Sequence, residues 1–75
     1  MKLSDIKINK KCVIESVDIL DFKLKIRLME LGLVPGTSLY VKNKSIFKKT
    51  LLIVFASSCF SLTEKIAKNI VVKYA

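Results

Sequence analysis

Arg27-Leu28-Met29-Glu30-Leu31-Gly32-Leu33-Val34-Pro35-Gly36-Thr37 is where a helical period stops and a strand period begins. Upstream, Phe22, Ile26, Met29 and Leu33 recur at helical spacing, and Leu24, Leu28 and Leu31 widen that apolar face. Lys23, Arg27 and Glu30 fall on the other side, so the pattern predicts a core-facing helix from about Phe22 to Leu31. Asp21 is its expected N-cap, with a carboxylate suited to an unpaired backbone N–H and to the positive end of the helix dipole. Gly32 supplies a left-handed stop, and Pro35 follows closely enough to prevent a restart. Pro35-Gly36 makes a tight turn, after which Leu39 and Val41 face one way and Tyr40 and Lys42 the other. We read Leu28, Leu31, Gly32, Leu33, Pro35 and Gly36 as scaffold that sets the entrance of a small barrel.

Outward from that junction the chain is strand-forming. Lys11 to Val17 is β-branched and partly alternating, with Cys12 and Ile14 on one side, and Asn9 sits at a turn where a left-handed backbone is tolerated. Residues 42–50 read as a lysine-rich connection, Leu51 to Phe55 as a third strand and Ser57-Ser58 as a turn. Phe60 and Leu62 mark a fourth strand, Thr63 to Lys68 one or two helical turns, and Ile70 to Tyr74 a fifth strand. Thr63 and Ser61 compete as cap of the short helix, Ser61 having capping-box spacing to Glu64. A single helix among five strands lacks the repeated crossovers of a parallel α/β sheet. The expected fold is mainly β, a partly open β-barrel with one α-helix.

The 75 residues allow one domain, 1–75, and 52% hydrophobic residues with two Gly and one Pro exclude a disordered chain. The longest apolar run, Leu51 to Ala56, is far short of the roughly 20 residues of a spanning helix. The N-terminus breaks its apolar residues with polar ones, unlike a secretory signal, so a cytoplasmic location is expected. Cys12 and Cys59 then read as two reduced, buried thiols.

There is no His among the 75 residues, which removes the usual general base and the commonest protein metal ligand. No phosphate loop, dinucleotide fingerprint or Cys-x-x-Cys pair is present. Neither catalysis, a cofactor nor a metal site is expected. Cys12 and Cys59 with Asp18 or Glu15 could be imagined as iron ligands, but the apolar strand residues flanking both cysteines make buried packing the simpler reading.

Fourteen basic against six acidic residues give a net charge of +8. That excess admits nucleic acid, anionic lipid or an acidic protein surface as partner. Arg27 is the one arginine, and base or phosphate recognition favours the guanidinium fork, which weighs against nucleic acid. The alternative is therefore a basic nucleic-acid-binding barrel using Lys42, Lys44, Lys48 and Lys49 with Tyr40 and Phe47 as stacking platforms. For a protein partner the candidate contacts are Tyr40, Phe47, Leu52 and Val54, since alternation turns Tyr40 away from Leu39 and Val41 and leaves Leu52 and Val54 outside.

The stretch from Arg27 to Thr37 with its following strand resembles the core signature of the FeoA family, ferrous iron transport protein A. Leu3-Ser4-Asp5-Ile6 resembles that family's opening, and residues 60–70 its closing pattern. The resemblance implies an SH3-like small barrel and a cytoplasmic accessory role in ferrous iron uptake. Its implied partner is FeoB, a membrane transporter with a cytoplasmic GTP-binding domain. Asn9 stands where the family usually has Gly, and Phe47-Lys48-Lys49-Thr50 replaces a loop that commonly carries Gly-Asp-Pro.

Overall fold

Alternation of apolar and polar residues produces five strands, and the computed structural model describes all 75 residues. After a single 3-10 turn at Leu3–Asp5, the order is β1 (Cys12–Val17), α1 (Phe22–Leu31), β2 (Ser38–Ser45), β3 (Thr50–Phe55), β4 (Ser58–Thr63), α2 (Glu64–Ala67) and β5 (Ile70–Tyr74). The strands form an antiparallel sheet in the order β4-β3-β2-β1-β5. β1 and β2 share only the pairs Cys12–Leu39 and Val13–Ser38, and bulges interrupt β1 between Ile14 and Ser16 and β2 between Val41 and Asn43. Bulges sharpen local twist, so the sheet folds over at β1 and β2 into a partly open barrel. Leu3, Ile6, Ile14, Leu33, Val41, Ile53, Ile70 and Val72 fill it. The N-terminus extends the β5 edge, where Met1 and Val72 exchange hydrogen bonds of 2.7 and 3.0 Å, whereas β4 remains an open edge.

Both ends of α1 follow from local chemistry. Asp21 Oδ1 accepts from the Leu24 N–H at 3.2 Å. At the other end Gly32 adopts φ +104°, its N–H donates to Met29 O and the Leu33 N–H to Leu28 O, both at 3.0 Å. This is a Schellman motif, completed by the buried pair Leu28 and Leu33. Thr37 Oγ1 then donates to Gly32 O at 2.7 Å and fixes the turn. Asn9 is left-handed as expected, with φ 65°. Thr63 caps α2 by accepting from the Ile66 N–H, and Ser61 does not take that role.

Several expectations are corrected. The face of α1 expected to enter the core is largely outside. Leu28 is buried and Leu24 half-buried, but Phe22 is 71%, Met29 49%, Leu31 42% and Ile26 38% exposed. A helix with apolar residues nearly all round offers two docking faces, and the narrower Leu24/Leu28 stripe is the one the barrel takes. Cys59 is exposed, because its pairing with Val54 puts it on the outer side of β4; only Cys12 is buried. The lysine-rich connection shrinks to the turn 46–49, since β2 runs on to Ser45 and pairs there with Thr50. The β3–β4 turn is Ala56-Ser57, one residue earlier than expected, with left-handed φ of 51° and 61°.

Candidate docking surfaces

Strand register decides what the sheet shows outside. Leu51, Ile53 and Phe55 point inward and are buried, so Thr50, Leu52 and Val54 point out. Across the strands this gives an outer row of Tyr40, Val54 and Cys59, followed by Asn43, Leu52 and Ser61. Tyr40 is 36% exposed, and Leu52 and Val54 are half-buried. Tyr40 and Val54 also line an open cleft of about 620 Å³ whose rim includes Asn9, Lys11 and the strained turn residues Ala56 and Ser57. Phe47 does not join them. It sits at the far tip of the β2–β3 hairpin, five strand residues of roughly 3.4 Å each beyond Tyr40 as far as Ser45, and is 99% exposed.

An exposed apolar stripe on α1 is one that periodicity assigned to the core. Phe22, Ile26 and Met29 lie at i, i+4 and i+7 of α1, on the side away from Leu24 and Leu28. Lys23 and Arg27 flank this stripe on one side and Lys25 on the other, while fully exposed Leu20 precedes it. Lys23, Ile26, Arg27 and Glu30 border a depression of about 280 Å³ beside it. The sequence contained the signal, since two apolar stripes on a short helix exceed what a thin core can cover.

Of the scaffold residues, Leu28 and Leu33 are buried, Gly32 and Gly36 both have positive φ, and Pro35 and Leu31 are exposed. Leu31 therefore borders the solvent-facing side of the junction and does not pack beneath it.

Groupings that support ligand chemistry are sparse. No cluster of three or more His, Cys, Asp or Glu could hold a metal ion. Cys12 faces the interior on β1, where burial pushes its thiol up to about 11, and Cys59 lies on the outside of β4. The two thiols therefore occupy opposite faces of the sheet. No helix is long and apolar enough to cross a membrane.

The FeoA domain family matches residues 1–74. The chain belongs to the FeoA family. Among solved structures, the FeoA protein of Chlorobium tepidum is 27% identical with a TM-score of 0.90, over 99% of this chain and 70% of that one. FeoA of Stenotrophomonas maltophilia, solved with zinc, is 32% identical with a TM-score of 0.84, over 97% and 89% of the two chains. That protein is described as a prokaryotic SH3 domain protein and a candidate ferrous iron transport activating factor. Iron(II) transport protein A of Clostridium thermocellum has the same fold, with a TM-score of 0.90 at 20% identity. This chain covers 46% of that protein's length. No curated protein matches significantly in sequence. The partly open barrel is thus the SH3-like fold of FeoA proteins, with α1 inserted between β1 and β2.

Proposed function

We propose that this FeoA-family protein is a non-catalytic, cytoplasmic accessory of ferrous iron uptake that docks on the GTP-binding domain of a FeoB-type transporter. Family membership supports the link to iron transport. The observation that carries docking is the uncovered apolar stripe Phe22, Ile26 and Met29, set among Lys23, Lys25 and Arg27. Apolar side chains held on a rigid helix and ringed by charge form an interface core with a polar rim. The net charge of +8 selects a partner surface that is apolar at its centre and acidic at its margin. The outer sheet row of Tyr40, Leu52 and Val54 supplies a second contact, with Tyr40 as the aromatic anchor over the cleft. A protein acting this way changes which conformation its partner prefers, and needs no ligand chemistry of its own.

The test is capture of a FeoB cytoplasmic domain by the full chain, with and without guanine nucleotide. The double variant Phe22→Glu/Met29→Glu should melt like the parent and lose capture. Leu52→Glu or Val54→Glu should weaken capture in a chain that still folds. Undiminished capture by the helix variant would refute the α1 contact, and failure of the parent to capture the domain would refute the reading as a whole.

A further inference from the structure

The tip of the β2–β3 hairpin carries a second exposed apolar patch, separate from that on α1. Ile46 and Phe47 are adjacent, 86% and 99% exposed, and lie in a four-residue turn closed by the Ser45–Thr50 pair. Large apolar side chains are seldom left so bare together without a partner. The Lys48 N–H donates to Ser45 Oγ at 3.3 Å and Lys49 adopts φ 51°, so the turn has a defined shape. Behind it, the Glu64 N–H donates to Lys49 O at 2.8 Å and brings α2 against the base of the turn. Lys48, Lys49, Lys65 and Lys68 consequently line one depression of about 400 Å³. Its one carboxylate, Glu64, lies 3.5 Å from Lys68. Lys44 is not part of this group, because its Nζ donates to Ser4 O and Ile6 O at 3.1 and 2.7 Å.

We propose that this tip is a membrane-surface anchor, with Ile46 and Phe47 entering the headgroup layer of an anionic phospholipid surface and Lys48, Lys49 and Lys65 resting on its phosphates. A convex apolar point backed by lysines fits a deformable anionic layer. Ile46 has no ring to stack on a base, and phosphate recognition by nucleic-acid binders favours arginine, which is absent from the tip. A second copy of this chain is disfavoured by the like charge of two molecules each at +8. Lysine stems can lie along the apolar zone while their amines stay at phosphate level. The proposal stands independently of the transporter, and its test contains none.

Co-sedimentation of the full chain with vesicles of phosphatidylcholine alone and of phosphatidylcholine mixed equally with phosphatidylglycerol reads the effect directly. Binding is expected to the mixed vesicles only, and to weaken as salt rises. Ile46→Ser/Phe47→Ser should weaken it at least about tenfold at an unchanged melting temperature. Each of Lys48→Gln, Lys49→Gln and Lys65→Gln should weaken it by roughly fivefold. Lys10→Gln, which removes one positive charge as each tip variant does, is the control for net charge. Absence of binding to anionic vesicles at low salt would overturn the proposal. It would equally fall if the Ile46/Phe47 variant bound as the parent does, or if the control lost as much as the tip lysine variants. Binding of a single-stranded oligonucleotide that depends on Phe47, with no vesicle binding, would replace it with the nucleic-acid reading.

Discussion

Replacing Gly32 by alanine tests the junction that organises this fold. At φ +104° an L-residue costs about 1–2 kcal/mol from its own backbone. The added Cβ would also stand 3.3 Å from Phe55 Cε2. Phe55 has little room to yield, being 6% exposed and stacked on Phe60 with ring centroids 5.1 Å apart. Forcing it aside adds about 1 kcal/mol, the lower end of overpacking costs. The sum, about 2–3 kcal/mol, lowers Tm by roughly 10–20 °C in a domain of this size. Gly36 is the internal control, since φ is +95° there and nothing lies within 4 Å of its Cβ position. Gly36→Ala should therefore show backbone strain alone. Thermal and urea unfolding followed by circular dichroism would measure both variants, and repeating them in a Phe55→Leu background should erase the excess at Gly32. Equal destabilisation of the two glycine variants would refute the contact with Phe55. A loss under about 0.5 kcal/mol for both would refute the strain.

The two-residue turn Ala56-Ser57, with both residues left-handed, has the backbone of a type I′ hairpin without the residues that favour it. Changing it to Asn-Gly should raise stability by about 1 kcal/mol, read as a higher urea midpoint at an unchanged slope. Cys12 carries a pH signature, because burial raises its thiol from 9.0 to about 11. The folded state keeps the neutral form, so this contribution is complete below pH 9 and is lost as pH rises towards 11. In that window stability should fall about 1.4 kcal/mol per pH unit more steeply than in Cys12→Ala. The native chain should also present one reactive thiol to a disulfide reagent, Cys59, and a second only on unfolding.

What the sequence disclosed was local. The cap at Asp21, the stop at Gly32 and the turn at Asn9 depend on residues within one or two turns, so residue type alone locates them. The five strands, and the inward residues of β1, β2 and β3, were legible for the same reason, since alternation along a strand is a property of consecutive residues. The orientation of α1 was not. Phe22, Ile26 and Met29 match the helical period as well as Leu24 and Leu28 do, and the choice between them is made by the β1 and β2 connections to a barrel distant in sequence. Cys59 was misassigned because β4 extends two residues further towards its N-terminus than its apolar residues show. Residue type groups Lys44 with Lys42, Lys48 and Lys49 as a nucleic-acid contact, yet its register opposite inward Leu51 sends its amine to the carbonyls of the N-terminal turn. Phe47 and Tyr40 fell into one interaction set by type and are separated by most of a strand.

The unexpected attitude of α1 bears directly on how such a small domain can serve a partner. The barrel interior is made by the strands and the segments at Leu3, Ile6 and Leu33, with Leu28 the buried residue that α1 adds. Because Phe22, Ile26 and Met29 contribute little to that interior, they are free to vary with the partner at small cost to folding. The helix itself is well defined, since the Asp21 cap sets its start, the Schellman motif with Thr37 sets its end, and Leu28 with half-buried Leu24 packs it on the barrel. An apolar stripe presented on a fixed element loses less freedom on docking than one on a loop, which leaves more of its burial as affinity. Capping, the feature most readable from sequence, thus also makes the exposed stripe usable: Gly32 fixes the direction of a surface to which it belongs only through the backbone.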